Sequence, residues 1–131
     1  MTFCVADRQA VFRDPTFASI ATAQLRYFRD AGFYNLYGYA VMPDHVHAIM
    51  RSRKSGIHLS KVVGTLRASI SLRIRQLMGH FAWQRGYHEQ IINSERECLA
   101  TVDYVLANPA RAGLVPPGEQ YPHSGVLDRW R

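Results

Sequence analysis

Two histidines stand two residues apart within residues 39–50, which read YAVMPDHVHAIM. On an extended strand alternate side chains share a face, so His45 and His47 point one way while Val46 and Ala48 point the other. Imidazoles at that spacing can chelate a divalent cation. Two hydrogen-bonded histidines on a half-exposed sheet would give the same pattern, and a metal site needs further convergent donors. Later, DYVLANPAR puts Tyr104 and Asn108 four residues apart, on one side of a helix. At about 100° per residue, Leu99, Val102, Val105 and Leu106 form the apolar stripe of that helix, with Tyr104 about 160° from its centre. A tyrosine turned away from an aliphatic stripe faces solvent, another element or a site.

The elements that must position these residues follow from periodicity and punctuation. Residues 2–6 read as a short strand. Asp14-Pro15 reads as an N-cap with proline at the first helical position, and Phe17, Ala21, Leu25 and Phe28 follow at helical spacing up to Gly32. Residues 33–41 and 45–50 predict two strands joined at the Pro43-Asp44 turn. Residues 59–78 are helical again, with Leu59, Val62, Val63, Leu66, Ile70, Ile74 and Leu77 on one side. Residues 81–92 read as an extended segment or strand. Ser94 and Glu97 form a capping-box pattern for a last helix, expected to end near Asn108 because Pro109 disfavours helical geometry before it. The order β-α-β-β-α-β-α predicts an α+β fold, a ferredoxin-like antiparallel sheet with helices on one face, plus the tyrosine helix. One domain over residues 1–115 and an irregular tail over 116–131 are expected, with Trp130 packing back.

Bulk composition narrows the function classes. The 131 residues are 47% hydrophobic and 20% charged, an ordinary balance for one folded domain. No apolar run approaches the roughly 18 residues of a membrane span, and no signal-peptide pattern opens the sequence. Cys4 and Cys98 have no CxxC spacing and suggest no disulfide framework, so a reducing cytoplasm is expected. The net charge of +6 favours a polyanionic partner.

Three motifs in order, AVMPDHVHAIM, WQRGYHEQII and DYVLANPARAGLV, make the chain resemble the single-tyrosine HUH transposases. Within that group it is most similar to the REP-associated tyrosine transposases. The resemblance covers roughly residues 2–115. It implies the same ferredoxin-like fold, with His45 and His47 as metal ligands and Tyr104 as nucleophile. Asn108 would be the third ligand or a polar support, and His88 a possible accessory. Gln90 departs from the strong polar group that relatives often carry two residues after the position of His88. The implied cofactor is Mg²⁺ or Mn²⁺. The implied substrate is single-stranded DNA beside a hairpin, handled in the cytoplasm at the nucleoid by a homodimer or a monomer.

The chemistry implied is strand transfer. A phosphodiester repels nucleophiles through its charge, which a divalent ion neutralises. Tyrosine, with a reference pKa of about 10, is mostly protonated at neutral pH and needs help to attack. Attack would yield a 5′-phosphotyrosine and a free 3′-OH, conserving the bond for rejoining. Asp44 and Asp103 adjoin the motifs but, at i−1, are expected to point elsewhere and at most support the ligands. Arg51, Arg53, Lys54, Lys61, Arg67, Arg75, Arg85 and Arg111 are the cations expected along DNA, with ordinary solvated surface as the alternative. Trp83 and Tyr87 could stack on bases, core packing being the better reading for Trp83. Two competing readings are a domesticated transposase that binds DNA without cutting it, and a metal hydrolase without nucleic acid.

Overall fold

The computed structural model describes residues 1–53 and 56–130. Asp14 caps α1 (Pro15–Asp30) by accepting the Thr16 amide at 2.9 Å, and Gly32 at φ +87° ends the helix. β2 (Tyr34–Met42) and β3 (His45–Ser52) form a hairpin around Pro43-Asp44, and β1 (Thr2–Cys4) pairs on the far side of β3. α2 (Leu59–Met78) stops at Gly79, whose φ of +82° suits glycine. α3 (Glu95–Arg111) starts at Ser94, which accepts the Glu97 amide at 3.2 Å. Between β1 and α1 lie two 3₁₀ turns, Ala6–Arg8 and Val11–Arg13.

The expected strand over 81–92 is only partly realised. It runs antiparallel beside β1, but pairing is confined to two isolated bridges, Thr2 with His88 and Val5 with Trp83. The spans between those bridges differ by two residues, and Gly86 at φ +75° takes up the excess. A continuous ladder cannot form across that mismatch. Even so, the segment lies where a ferredoxin-like fold carries its fourth strand, outside β1 in the antiparallel order β1-β3-β2.

Each face of the sheet carries its own apolar cluster. α1 and α2 cover one face, burying Phe3, Leu25, Leu36, Val46, Leu66 and Ile70 among others. α3 covers the opposite face through Cys98, Val102 and Val105, which meet Tyr37, Ala40, Met42 and Ile49. Gly38 sets that approach: a Cβ there would lie 3.2 Å from both Val102 methyls.

Three local expectations are corrected. Leu77, expected in the core, is 63% exposed because it occupies the last turn of α2, beyond the sheet-facing residues that end at Ile74. The buried stripe of α3 is Cys98, Val102, Val105 and Pro109, leaving Leu99 and Leu106 at its solvent-facing margin. The helix accordingly runs past Asn108 to Arg111, with Pro109 inside it. Pro109 lacks the donor that would reach Val105, but it is buried and continues the stripe.

The tail is also more ordered than expected. Ser124–Gly125 forms β4 on the outer edge of β2, and the Tyr121 hydroxyl donates to the Val41 carbonyl at 3.0 Å. Asp128 accepts Arg29 at 2.6 and 3.1 Å and the Leu36 amide at 2.7 Å, while its own amide donates to the Leu36 carbonyl. Trp130 does pack back, its ring centroid 5.7 Å from that of Tyr37 with the Arg51 guanidinium over it at 4.8 Å. Among the described residues no helix is long and apolar enough to cross a membrane.

Candidate active site

The strand register assembles the histidine face. Val46 and Ala48 enter the α1/α2 cluster, so His45 and His47 emerge on the face that α3 covers. Thr2 pairs with His47 on one side and bridges His88 on the other. Directly paired residues share a face, which brings His47, Thr2 and His88 into one row. Ala40 pairs with His47 from β2 and keeps the floor low there.

His45 is held at one ring nitrogen by a carboxylate that is itself held at both oxygens. Its Nδ1 lies 2.7 Å from Asp44 Oδ1, and the other oxygen of that carboxylate accepts Arg8 Nε at 2.8 Å. Burial pushes the Asp44 carboxyl up, but the hydrogen bonds from Arg8 and His45 outweigh it and hold the group below the ordinary range. Asp44 is therefore ionised and can only accept, so His45 Nδ1 carries the proton and Nε2 keeps its lone pair. Asp44 takes the supporting place that was the most expected of it, but it does not point elsewhere: it sits in the turn, where strand alternation does not apply. The His47 ring has no hydrogen-bond partner among the described residues. Burial lowers its pKa to about 4, helped by the positive charges of the chain's amino group, His45 and His88. At neutral pH its ring is neutral.

These two imidazoles fit a borderline divalent ion, one of them oriented by a carboxylate in the way metal-bound histidines usually are. No group of three His, Cys, Asp or Glu side chains able to hold a metal is present among the described residues. A third protein ligand would then be a neutral group, and the Asn108 amide is the candidate.

α3 presents its tyrosine side toward this strand. Relative to the buried stripe, Thr101, Asn108 and Tyr104 lie on one flank, at about 70°, 90° and 130° from its centre. Thr101 and His47 line one cavity of about 250 Å³, together with Tyr37, Arg51, Gln90 and Trp130 among others. The flank bearing Tyr104 is thus the one nearer the histidines, although neither Tyr104 nor Asn108 lines that cavity. Tyr104 is 52% exposed, and the Arg111 guanidinium lies over its ring at 4.8 Å. Asn108 is half-buried.

The expected DNA cations divide into two groups. Arg53, Lys61, Arg85 and Arg111 are exposed. Arg67 turns inward instead: it donates to the carbonyls of Gln84 at 2.7 Å and Gly86 at 3.1 Å and packs over Phe3 and Trp83. Arg75 similarly donates to the Phe81 carbonyl at 2.9 Å. Both arginines fasten the segment 81–92 that failed to become a strand. Arg51 lies under Trp130, and Lys54 is outside the described residues. Trp83, partly buried, packs against the core edge-on to Phe3 and Phe81, and Tyr87 packs partly buried against the same cluster. Sequence reasoning missed Arg8; its only signal was position, since nothing in the residue type pairs it with Asp44.

Residues 1–108 match the family described as IS200-like transposases. A Haemophilus influenzae protein whose name places it among the REP-associated tyrosine transposases is 21% identical over 95 residues, 64% of this chain and 54% of that protein. The chain thus spans about half the length of the curated relative it matches. A solved REP-associated tyrosine transposase bound to a REP hairpin superposes with a TM-score of 0.75 at 20% identity, covering 94% of this chain and 72% of that one. That likeness is one of fold. With the family match spanning most of its length, this chain belongs to the IS200-like transposases.

Proposed function

We propose that this protein cleaves and rejoins single-stranded DNA at hairpin or palindromic elements through a covalent 5′-phosphotyrosine. The observation that carries the reading is the placement of α3 on the histidine face, with its Tyr104 flank turned toward β3. The hairpin named for the solved relative supports a folded DNA partner.

His45, His47 and Asn108 would hold a Mg²⁺ or Mn²⁺ ion, which supplies charge neutralisation and orientation of a phosphate. Tyr104 Oη attacks phosphorus and loses its proton. The bond from phosphorus to the 3′ oxygen breaks, and that oxygen leaves as a protonated 3′-OH. Attack on the phosphotyrosine by another 3′-OH reverses these changes and restores a phosphodiester with no external energy source. Arg111 stacks on the Tyr104 ring, limiting its orientations and placing a cation beside the nucleophile. Arg53, Lys61 and Arg85 supply exposed charge for the DNA backbone.

A hairpin oligonucleotide with a single-stranded flank, incubated with Mn²⁺, should give a protein–DNA adduct that survives denaturing electrophoresis. Tyr104→Phe should abolish it while leaving binding within twofold. An adduct that persists in Tyr104→Phe would overturn the nucleophile assignment. Binding with steep salt dependence but no adduct under any metal would favour a DNA-binding, non-cutting protein.

A further inference from the structure

Asp7 and Arg8 are the only described residues other than glycine with positive φ, at 55° and 54°. Such a conformation points an arginine side chain where an ordinary turn would not. Here it takes Arg8 Nε to 2.8 Å from Asp44 Oδ2, in a bond joining residues thirty-six apart. The backbone secures both partners independently. The Val5 amide donates to the Asp44 carbonyl and the Phe12 amide to the Pro43 carbonyl, both at 2.9 Å. The β2–β3 turn is therefore clamped on both sides of Arg8, by Val5 before it and Phe12 after it.

From this geometry we infer that Arg8 and Asp44 are positioning residues, a two-step relay that fixes the tautomer and the ring orientation of His45. Asp44 contacts His45 directly, through Nδ1. Arg8 acts one step removed, by occupying the second carboxylate oxygen so that the first faces the imidazole. A carboxylate free to rotate could offer either oxygen or turn to water; one pinned by a guanidinium on the other side cannot. Free histidine favours the proton on Nε2, whereas this arrangement enforces Nδ1–H and leaves the Nε2 lone pair for a cation. His47 has no comparable partner among the described residues, so the two imidazoles differ: one is locked and the other is free to adapt. The inference rests on the reading of His45 as a metal ligand.

Nitrogen-15 NMR of the imidazoles, on the metal-free full chain at a pH where histidine is neutral, reads the tautomer directly. His45 should carry its proton on Nδ1. Asp44→Ala should return it to Nε2–H and weaken Mn²⁺ binding, measured by titration, roughly tenfold to a hundredfold. Arg8→Ala, at an exposed side chain, should leave the fold intact yet give a mixture of tautomers and a smaller loss of affinity. Asp44→Asn keeps an acceptor for Nδ1–H and should rescue much of the tautomer but not the full affinity. A merely structural role would lower thermal stability in these variants and leave the tautomer unchanged, and that result would overturn the relay. If the unaltered chain bound no Mn²⁺ while the tautomer followed these expectations, the metal reading would fail and the relay would stand.

Discussion

The two faces of the sheet are built to different standards. Beneath α1 and α2 lies a wide cluster in which Phe3, Leu25, Leu36, Leu66 and Ile70 are fully buried. Beneath α3 the cluster is small, Cys98, Val102 and Val105 against four sheet residues, and the rest of that face carries histidines, a threonine and an open cavity. Apolar area removed from water is the main source of stability, so the first face holds the molecule together. The second is left partly uncovered, and His47 lines the open cavity there instead of packing under aliphatics. One helix seated on a narrow stripe covers only part of that face.

Four measurements would break or sharpen that contrast. The largest effect is expected on the packed face: Leu66→Ala should cost about 3 kcal/mol of unfolding free energy in denaturant. A loss below about 1 kcal/mol would mean that the division of labour is wrong. Next, Arg67→Ala should destabilise by about 1–2 kcal/mol, since two carbonyls in segment 81–92 lose their donor. Lys61→Ala should instead leave stability within about 0.5 kcal/mol and reduce the salt dependence of DNA binding by about one unit of slope. Equal behaviour of the two would erase the distinction drawn between fastening and binding cations.

Gly38→Ala probes the second face. The new methyl would press on Val102 at 3.2 Å, so α3 must shift by a few tenths of an ångström. About 1 kcal/mol of stability should be lost, while the rate of adduct formation drops several-fold. An unchanged rate would show that the seat of α3 does not control the tyrosine. The smallest effect concerns the tail. The hydrogen bond from Arg29 holds the Asp128 carboxyl below its usual range against the opposing effect of burial, and the Leu36 amide adds to the lowering. A depressed carboxylate stabilises the fold above its unfolded pKa, and the contribution disappears as pH falls through the folded value. Below about pH 4 the tail should therefore loosen, read as a change in Trp130 fluorescence before global unfolding. Asp128→Asn should show the loosened signal already at neutral pH.

Much of this architecture was legible from local chemistry. Gly79 and an unbroken helical period delimit α2, and Asp14-Pro15 starts α1 where the cap geometry requires it. The histidine face followed from strand alternation alone. The phase of α3 did not, because the larger aliphatics Leu99 and Leu106 draw the stripe toward themselves and away from Cys98 and Pro109. Which stripe is buried depends on the gap at Gly38, a tertiary fact. The same holds for Arg67, whose charge suggests a phosphate but whose neighbours are carbonyls and rings. Asp44 was misjudged because strand alternation was applied to a residue of the turn, where it does not hold.

The margins of the sheet have a consequence beyond the site. A bare strand edge offers unpaired amides and carbonyls to any passing chain and is a common start of aggregation. Here β4 covers two residues of the β2 edge, and Tyr121 reaches the Val41 carbonyl beside it. At the other margin the bent segment 81–92 pairs with β1 at scattered points and presents a kinked outer line. Neither border is a straight template onto which a foreign strand could zip. The sheet thereby avoids polymerising through its own edges.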